Sequence, residues 1–216
     1  MAGEDSGIGV ESGGDAIQAH ISDVLIAGNT IQGDVDIGIS VASGYQRAQA
    51  NVTENIRVLD NRIWLVRREL GREHDAQRRR PREHDRRHDR RGVTVQAGNG
   101  AGGSRNRVES VRIERNAIAV GSRATGVLVW AGAAGRPPYK NRIATGNRVS
   151  GVTIAGNRIA LGSGKGSESP APGAIAIVSG GHWGRSNSVS CVRVTGAGTP
   201  VGVQLGSPGN HATLAC

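Results

Sequence analysis

The chain contains no phenylalanine, and all aromatic residues together make up only 2% of its 216 residues. A core built on large aromatic side chains is therefore excluded, and the apolar content lies mainly in Val, Ile and Ala. Glycine is abundant, with 34 residues, but it follows no strict triplet period, which excludes a collagen-like chain. Many β-branched residues together with many glycines favour short strands joined by tight turns.

Long apolar runs, a signal sequence and a cysteine-rich pattern are also missing. No stretch reaches the roughly 18 consecutive apolar residues of a transmembrane helix, and the N-terminus lacks the basic-then-apolar order of a signal peptide. The only two cysteines, Cys191 and Cys216, do not have metal-site spacing. We therefore expect no membrane insertion, no metal and no cofactor.

The formal net charge of +9 would suit a nucleic-acid partner, but much of it lies in one segment. Residues 67–91, RRELGREHDAQRRRPREHDRRHDRR, hold 11 Arg and 6 acidic residues, which contributes +5 of the +9. Basic arms rarely carry so many acids. We therefore interpret residues 64–91 as an Arg-rich, solvated insertion, and nucleic-acid binding is not favoured.

The same segment contains histidines and aspartates that invite a metal-site hypothesis. They recur within REHD phrases rather than at the spacing of metal ligands, so we do not favour a metal cluster there. The residues concerned are His74, Asp75, His84, Asp85 and His88.

A different interpretation of the segment lies in its coding. In a GC-rich gene, codons for Glu-His-Asp that are read one base out of frame give Asn-Thr-Thr, and the flanking Arg codons give Gly and Asn. The shifted frame would restore the Gly, Asn and Thr character of the rest of the chain. The segment is thus also interpretable as an out-of-frame stretch between two compensating insertions or deletions, which resequencing of the gene would decide.

Outside this segment the sequence repeats two motifs in alternation. The first motif is Asn, then Val or Ile two residues later, then aliphatic-polar-aliphatic, then Asn and Ile. Its five copies are AHISDVLIAGNTI (19–31), NVTENIRVLDNRI (51–63), NRVESVRIERNAI (106–118), NRVSGVTIAGNRI (147–159) and NSVSCVRVTGAGT (187–199). The second motif is Gly-aliphatic-x-aliphatic-x-x-Gly, as in GISVASG (38–44), GVTVQAG (92–98) and GVLVWAG (126–132). Such internal repetition predicts a solenoid.

Each motif has the period-2 alternation of strands about three residues long. Stacked on its own copy in the next repeat, such a strand would form a parallel ladder and bury a stripe of Val and Ile. We expect the glycines of the second motif to supply positive φ where the chain enters and leaves a strand. The asparagines at one shared position should hydrogen-bond to one another at a corner, and these are Asn29, Asn61, Asn116 and Asn157.

Both motifs resemble those of the right-handed parallel β-helix family, the superfold that includes pectate lyase-like and polygalacturonase-like proteins. The resemblance implies an all-β fold, namely a single-stranded right-handed parallel β-helix of about five to six coils. It covers residues 1–216, and the chain is interpreted as truncated at its N-terminus. Members of the family include polysaccharide lyases, hydrolases, epimerases, phage spikes and adhesins, so the resemblance does not choose an activity. Neither the Asp cluster of polygalacturonases nor the Ca²⁺-site cluster of pectate lyases is found in the sequence.

Charged residues at matching positions of the first motif are the candidate site residues. Glu54 and Glu109 share the fourth position, and adjacent carboxylates about 5 Å apart can serve a retaining glycosidase. The alternative for these two is weak surface ion pairing. Asp60 and Glu114 form a second, looser candidate pair.

Arginines at outward positions are the candidate polymer-binding residues, because Arg can hold a uronate carboxylate. Arg57, Arg112 and Arg193 share the seventh position, while Arg107 and Arg148 share the second. The expected partner is an acidic polysaccharide bound by a secreted or cell-surface module, although the chain shows no signal peptide. A polysaccharide-processing enzyme, or a fragment of one, is the alternative function.

The two cysteines have two interpretations. Cys191 and Cys216 are 25 residues apart, close to one short coil, so they are candidates for a disulfide that clamps the end of the solenoid. They are equally interpretable as two buried free thiols.

Overall fold

The computed structural model describes residues 6–13, 16–45, 47–65, 90–99, 103–121, 124–132, 144–162, 174–180, 184–196, 201–205, 209–214 and 216. All regular elements within these ranges are β-strands. The first seven are β1 (Ser6–Ser12), β2 (His20–Ser22), β3 (Leu25–Ala27), β4 (Thr30–Gln32), β5 (Ile37–Tyr45), β6 (Val52–Leu59) and β7 (Arg62–Leu65). The next six are β8 (Arg91–Asn99), β9 (Arg107–Glu114), β10 (Ala117–Val120), β11 (Thr125–Ala131), β12 (Arg148–Ala155) and β13 (Arg158–Leu161). The last four are β14 (Ile175–Ser179), β15 (Ser188–Thr195), β16 (Val201–Leu205) and β17 (His211–Ala212).

These strands form three parallel sheets. The first sheet has the order β1-β5-β8-β11-β14-β16, the second β2-β6-β9-β12-β15-β17 with β3 also paired to β6, and the third β4-β7-β10-β13. In the first four repeats the chain visits the three sheets in the same order, and each strand pairs with the equivalent strand of the neighbouring repeat. Within the described residues, the last two repeats contribute strands to the first and second sheets only. The all-β class is thus confirmed, and the arrangement is compatible with a β-helix-like solenoid.

The predicted Arg-rich insertion, residues 64–91, overlaps two strands at its ends. Trp64 and Leu65 belong to β7, and Arg91 begins β8. Residues 66–89, which include the histidines and aspartates of the metal-site hypothesis, lie outside the described residues.

Aliphatic columns fill the space between the sheets. In the second sheet Ile56, Val111 and Val152 lie in register on adjacent strands and are fully buried. Strands stack at roughly 4.8 Å in such a sheet, so side chains of one size and branching lie directly on their copies. This packing explains a core of Val and Ile with no Phe.

Two asparagine ladders hold the corners on either side of the second sheet. The predicted ladder is present, with side-chain amides of Asn29, Asn61, Asn116 and Asn157 linked at 2.9–3.0 Å. A further ladder, which the sequence interpretation did not assign, joins Asn51, Asn106, Asn147, Asn187 and Asn210 at 3.0–3.2 Å. The second amide proton of an internal member such as Asn106 goes to a backbone carbonyl, in this case that of Ala48. The buried amides are therefore hydrogen-bonded through both their N–H groups and their oxygen.

The two glycines of the second motif have different roles. At the end of the motif, Gly98 has φ +68°, and a Cβ there would lie 2.3 Å from Cγ of Asn147. At the start, Gly92 is outside the left-handed region, but its Cβ would lie 2.4 Å from Cγ2 of Ile118. Positive φ on entry to the strand was therefore a wrong expectation, because the first glycine is needed for close packing against an isoleucine of the third sheet.

Cys191 and Cys216 are joined by a disulfide, with their Cα atoms 4.6 Å apart. The bond ties residue 216 to β15, next to the short strand β17 that pairs with β15. It thus links β15, the last strand but one of the second sheet, to Cys216, which follows β17 in the chain.

Candidate functional site

At the fifth motif position a residue with left-handed backbone conformation bends the chain in five successive repeats of the second sheet. Those residues are Asp23, Asn55, Ser110, Gly151 and Cys191, with φ between 54° and 66°. In β6 the outward Glu54 and the exposed Asn55 follow one another between the buried Thr53 and Ile56. The bend thus shifts the alternation of inward and outward side chains by one residue, at the same place in each of these repeats.

Hydrogen bonding between neighbouring strands continues through this bend. The amide of Asp23 donates to the carbonyl of Glu54 at 3.2 Å, and the amide of Arg57 donates to the carbonyl of Val24 at 2.9 Å. The strands of the second sheet therefore reach eight residues, as in β6 and β9, and the prediction of three-residue strands is wrong there.

The repeated bend produces a shallow cleft of about 530 Å³ that runs across four successive repeats. One side, which we name the left-handed wall, consists of Asp23, Asn55, Ser110 and Gly151. The other side, the arginine wall, consists of Arg57, Arg112 and Thr153. Three strand intervals of roughly 4.8 Å give the cleft a length of about 14 Å along the stacking direction.

Arg57 and Arg112 are register partners in this cleft. They occupy adjacent strands β6 and β9, and both side chains are exposed. Within the described ranges neither guanidinium makes an ion pair, in contrast to Arg115 and Arg90. Two neighbouring positive charges without an acidic partner make this wall attractive to anions.

The remaining arginine of the predicted strip is separated from these two. Arg193 lies on β15, and Thr153 of β12 stands between it and Arg112 in the register. Arg193 does not line the cleft. The seventh position thus gives one close pair of guanidinium groups and one more distant group.

Arg107 and Arg148 are also register neighbours, on β9 and β12, and both are exposed. They directly follow Asn106 and Asn147, two members of the ladder that runs from Asn51 to Asn210, and the ladder from Asn29 to Asn157 lies beyond the other end of their strands. Neither lines the cleft, and Arg107 lies 3.9 Å from the carboxylate of Glu109.

Glu54 and Glu109 face each other in register on β6 and β9, as the motif alignment predicted. Each of the two carboxylates already lies near a side chain that is positively charged or becomes so on protonation. Oε1 of Glu54 is 2.8 Å from Nε2 of His20, and Oε1 of Glu109 is 3.9 Å from Arg107. Both carboxylates lie outside the lining of the cleft, on the far side of the left-handed wall.

The proposed looser pair of Asp60 and Glu114 is wrong. Glu114 is the register partner of Leu59, whereas the Asp60 carboxylate accepts hydrogen bonds from Nε and an Nη of Arg115 at 2.9 and 2.8 Å. Hydrogen bonding to Arg115 holds the pKa of Asp60 below its ordinary value, and the same contact raises the pKa of Arg115. This pair is a bidentate surface ion pair rather than a pair of carboxylates.

The left-handed wall was missed at the level of sequence. A signal was present, because the fifth motif position holds Asp, Asn, Ser, Gly and Cys while the sixth position holds Val or Ile in all five copies. Asn, Asp and Gly are the residues that best tolerate positive φ. A column rich in them inside a predicted strand indicates a bend on the outer surface.

Two further features, a metal-binding cluster and a membrane-spanning helix, are absent from the described parts of the chain. No group of three or more His, Cys, Asp or Glu side chains there is placed to hold a metal ion. Those parts also contain no helix that is long and apolar enough to span a membrane. We found no family model, no curated protein and no solved structure that matches the chain.

Proposed function

We propose that the chain is a right-handed parallel β-helix of about five to six coils that acts as a secreted or cell-surface module binding an acidic polysaccharide. The single observation that carries this proposal is the pair Arg57 and Arg112, which lie in register in one cleft with no acidic partner among the described residues. Guanidinium groups bind carboxylates through paired N–H donors, so each arginine offers one anion-binding position.

The shape of the site favours an extended ligand over a compact one. Adjacent strands repeat at roughly 4.8 Å, so the two guanidinium groups are displaced by one strand spacing along the stacking direction. The cleft volume of about 530 Å³ is within the size of ligand sites, but the cleft is open along its length. A polymer that presents one carboxylate after another along its chain meets the arginines in sequence.

A polysaccharide-processing enzyme is the second candidate function, and one observation favours it. Glu54 and Glu109 are register partners, and carboxyl groups about 5 Å apart suit a retaining glycoside hydrolase. Against it, Glu54 contacts His20, and both carboxylates lie outside the cleft. Release of reducing ends or unsaturated products from uronate polymers by the wild-type protein, and its loss in Glu54→Gln, would favour the enzyme over the binding module.

The binding proposal is tested by removing the charges of the arginine wall. We expect the double variant Arg57→Gln/Arg112→Gln to bind polygalacturonate at least about tenfold more weakly at low ionic strength, since hydrogen bonds between charged groups each contribute roughly 1.5–3 kcal/mol. Raising the salt concentration should weaken the wild-type complex, because the cleft is open to solvent. Affinity electrophoresis or calorimetry measures both effects.

A matched control lies on the third sheet. Arg62 and Arg158 are exposed residues of β7 and β13, so Arg62→Gln/Arg158→Gln removes the same net charge away from the cleft. We expect this variant to bind nearly as tightly as the wild type. Equal weakening by the two double variants would attribute binding to net charge and contradict the proposal.

A further inference from the structure

The third sheet stops before the other two. Its last described strand is β13, whereas β14 and β16 extend the first sheet, and β15 and β17 extend the second sheet, beyond that repeat. At roughly 4.8 Å per strand, the two longer sheets project about 10 Å further along the stacking direction. The described strands therefore leave a gap beside the edge of β13, bounded by the two longer sheets, which we name the third-sheet notch.

The sequence that crosses this side of the molecule after β13 lacks the features of a third-sheet strand. Residues 196–200 connect β15 to β16, whereas the shortest connection that includes a third-sheet strand, through β4, takes residues 28–36. At the ladder and inward positions of the first motif the sequence has Ala197 for Asn and Thr199 for Ile. This connection therefore offers neither the length nor the side chains that the other repeats use.

Columns of aliphatic side chains that are buried elsewhere become exposed at the notch. Leu161 continues the column of Val120, which is fully buried, yet Leu161 is 40% exposed. Val203 continues the column of Ile177, and its exposure is 47% against 0%. These side chains are at inward positions of their strands, so the notch presents core-like apolar surface to solvent. A contiguous exposed apolar surface is typical of an interaction site.

The backbone of β13 is open on the same side. The amide of Arg158 donates to the carbonyl of Asn116 on the preceding strand at 2.9 Å. Because successive residues of a strand direct their N–H and C=O groups to opposite sides, those of Ile159 and Leu161 point toward the notch. No described strand pairs with β13 on that side. The notch therefore combines apolar side chains with the donors and acceptors of a strand edge.

An asparagine ladder also ends at the notch. Asn116 donates to Oδ1 of Asn157 from both its backbone amide and its side chain, at 2.9 Å in each case. No described residue continues the ladder beyond Asn157, which is half-buried, whereas Asn61 and Asn116 are buried. An asparagine on an added strand would accept the equivalent two hydrogen bonds from Asn157.

A free strand edge does not by itself mark a site, as the opposite end of the third sheet shows. There the edge strand is β4, but its inward Ile31 is only 8% exposed. The first strands of the other two sheets, β1 and β2, lie in the same repeat as β4, so no walls flank an added strand. The recess, the exposed columns and the ladder end occur together only beside β13 among the described third-sheet edges.

We propose that the third-sheet notch binds an extended segment of a partner protein, which adds to β13 as a parallel strand of the pattern Asn-acidic-aliphatic-x-aliphatic. The asparagine extends the ladder, and the two aliphatic side chains cover Ile159 and Leu161. The acidic residue lies beside the exposed, outward Arg158, where opposite charges on neighbouring strands attract. Strand addition takes its affinity from main-chain hydrogen bonds and its specificity from alternate side chains.

A rigid second copy of the chain does not fit the notch. Its free β4 would have to pair with β13, but its β1 and β2 lie in the same repeat as β4. Those strands would overlap the projecting β14 and β15 of the first copy. A single extended segment brings no flanking strands and avoids this overlap.

The first experiment is calorimetric titration of the wild-type protein with a peptide that contains Asn-Glu-Ile-Ala-Leu. In a parallel strand paired with β13, the amides of Glu and Ala face β13, whereas those of Ile and Leu face away. We expect N-methylation of the Glu and Ala amides to weaken binding about tenfold or more, at roughly a factor of 2–10 per hydrogen bond. The matched control peptide, N-methylated at Ile and Leu, should bind nearly as tightly as the unmodified one.

The second experiment changes the protein. Leu161→Asp should weaken the unmodified peptide at least about fivefold, because it replaces apolar contact surface by a charge. Leu25→Asp, at a leucine 52% exposed outside the notch, is the control and should bind like the wild type. Circular dichroism establishes that both variants are folded. Arg57→Gln/Arg112→Gln should also bind the peptide like the wild type, because the notch is separate from the arginine wall and does not depend on the proposed function.

Three results would overturn the inference. They are no saturable binding of the unmodified peptide, equal weakening by the two N-methylated peptides, and equal effects of Leu161→Asp and Leu25→Asp. Sedimentation of the wild type supplies a further check. Self-association that Leu161→Asp abolishes would make a second copy the occupant and would likewise contradict the proposal.

Discussion

The outer faces of the first and second sheets differ in charge and in exposure to solvent, although both sheets stack the same repeats. In the first sheet the outward column of Ser40, Thr94, Leu128 and Ala176 is uncharged and at most 5% exposed. In the second sheet the outward column that contains Arg57 and Arg112 is charged and exposed. Both face outward from one aliphatic core, so the core does not dictate what lies on the outside.

The difference shows which outer face is buried and which is exposed to solvent. A sheet that is buried on both faces carries near-continuous uncharged runs, as in Gly92–Gly98, whereas the second sheet alternates apolar and polar residues. Among the described residues, four buried side-chain atoms lack a hydrogen-bonding partner, and all four lie on the outer face of the first sheet. They are Thr94 Oγ1, Gln96 Oε1, Trp130 Nε1 and Gln204 Oε1.

The largest expected effect comes from substituting glycines of similar backbone conformation in the two sheets. Gly98→Ala at the end of β8 places a Cβ 2.3 Å from Asn147, and Gly156→Ala at the end of β12 meets only Cγ of Arg115 at 3.8 Å. Both positions have φ above 60°. We expect Gly98→Ala to lower the free energy of unfolding by about 2–5 kcal/mol and Gly156→Ala by about 1–2 kcal/mol.

Chemical denaturation of the two variants measures this difference. Because the φ cost is common to both, the excess for Gly98→Ala reports the contact with the asparagine ladder. Equal losses would mean that the ladder yields to the extra methyl group without cost.

A smaller effect of opposite sign in the two sheets is expected for Thr→Val substitutions. Thr94 Oγ1 in the first sheet is buried without a partner, so Thr94→Val should be neutral or stabilising by up to about 1 kcal/mol. Thr53 in the second sheet points inward, and its Oγ1 lies 2.8 Å from both the Ala42 carbonyl oxygen and the Ser12 hydroxyl. Thr53→Val should therefore destabilise by about 1–3 kcal/mol, because the Ser12 hydroxyl and the Ala42 carbonyl lose a buried partner.

Thermal unfolding of both valine variants beside the wild type provides the measurement. Destabilisation by Thr94→Val as large as that by Thr53→Val would show that Thr94 has a partner in solution. The contrast drawn between the two faces would then be incorrect at that position.

The smallest effect concerns the exposed ion pair of the second sheet. Because Arg115 holds the pKa of Asp60 below its ordinary value, the pair's stabilising contribution is present above the ordinary pKa of the unfolded chain. It is lost as the pH falls through the lowered pKa of the folded protein. NMR titration should show the pKa of Asp60 rising toward its ordinary value in Arg115→Gln, with little change in unfolding temperature at neutral pH.

An unchanged Asp60 titration in Arg115→Gln would contradict the assignment of that cause.

Much of this architecture could be predicted from the repeats because the same side chain recurs wherever the same contact recurs. The register of Glu54 with Glu109 and of Arg57 with Arg112 follows directly from the motif alignment. Asn210 was not predicted because it lies only 23 residues after Asn187. The residues that follow Asn210 do not reproduce the first motif, so the alignment did not include them. The cleft escaped because it depends on backbone handedness at Asn55 and Ser110, which side-chain periodicity does not encode.

The orientation of Asp60 illustrates a different limit. Its position next to Glu114 in the motif alignment gave two acids one residue apart in register. The actual partner, Arg115, occupies the same tenth motif position as Asp60, so the alignment itself places the two side chains opposite each other at the corner. The error lay in pairing acids from different motif positions, not in the alignment.

The asparagine ladder that runs from Asn51 to Asn210 keeps the stacking of the repeats independent of the length of chain between them. Its links join asparagines separated by 55, 41, 40 and 23 residues, yet their side-chain bonds differ by only 0.2 Å. Loop closure costs only about 0.6 kcal/mol for each doubling of loop length. We therefore expect the protein to tolerate grafted peptides. Foreign segments of very different length, inserted between two ladder positions, should leave the hydrogen-bond distances of the ladder unchanged.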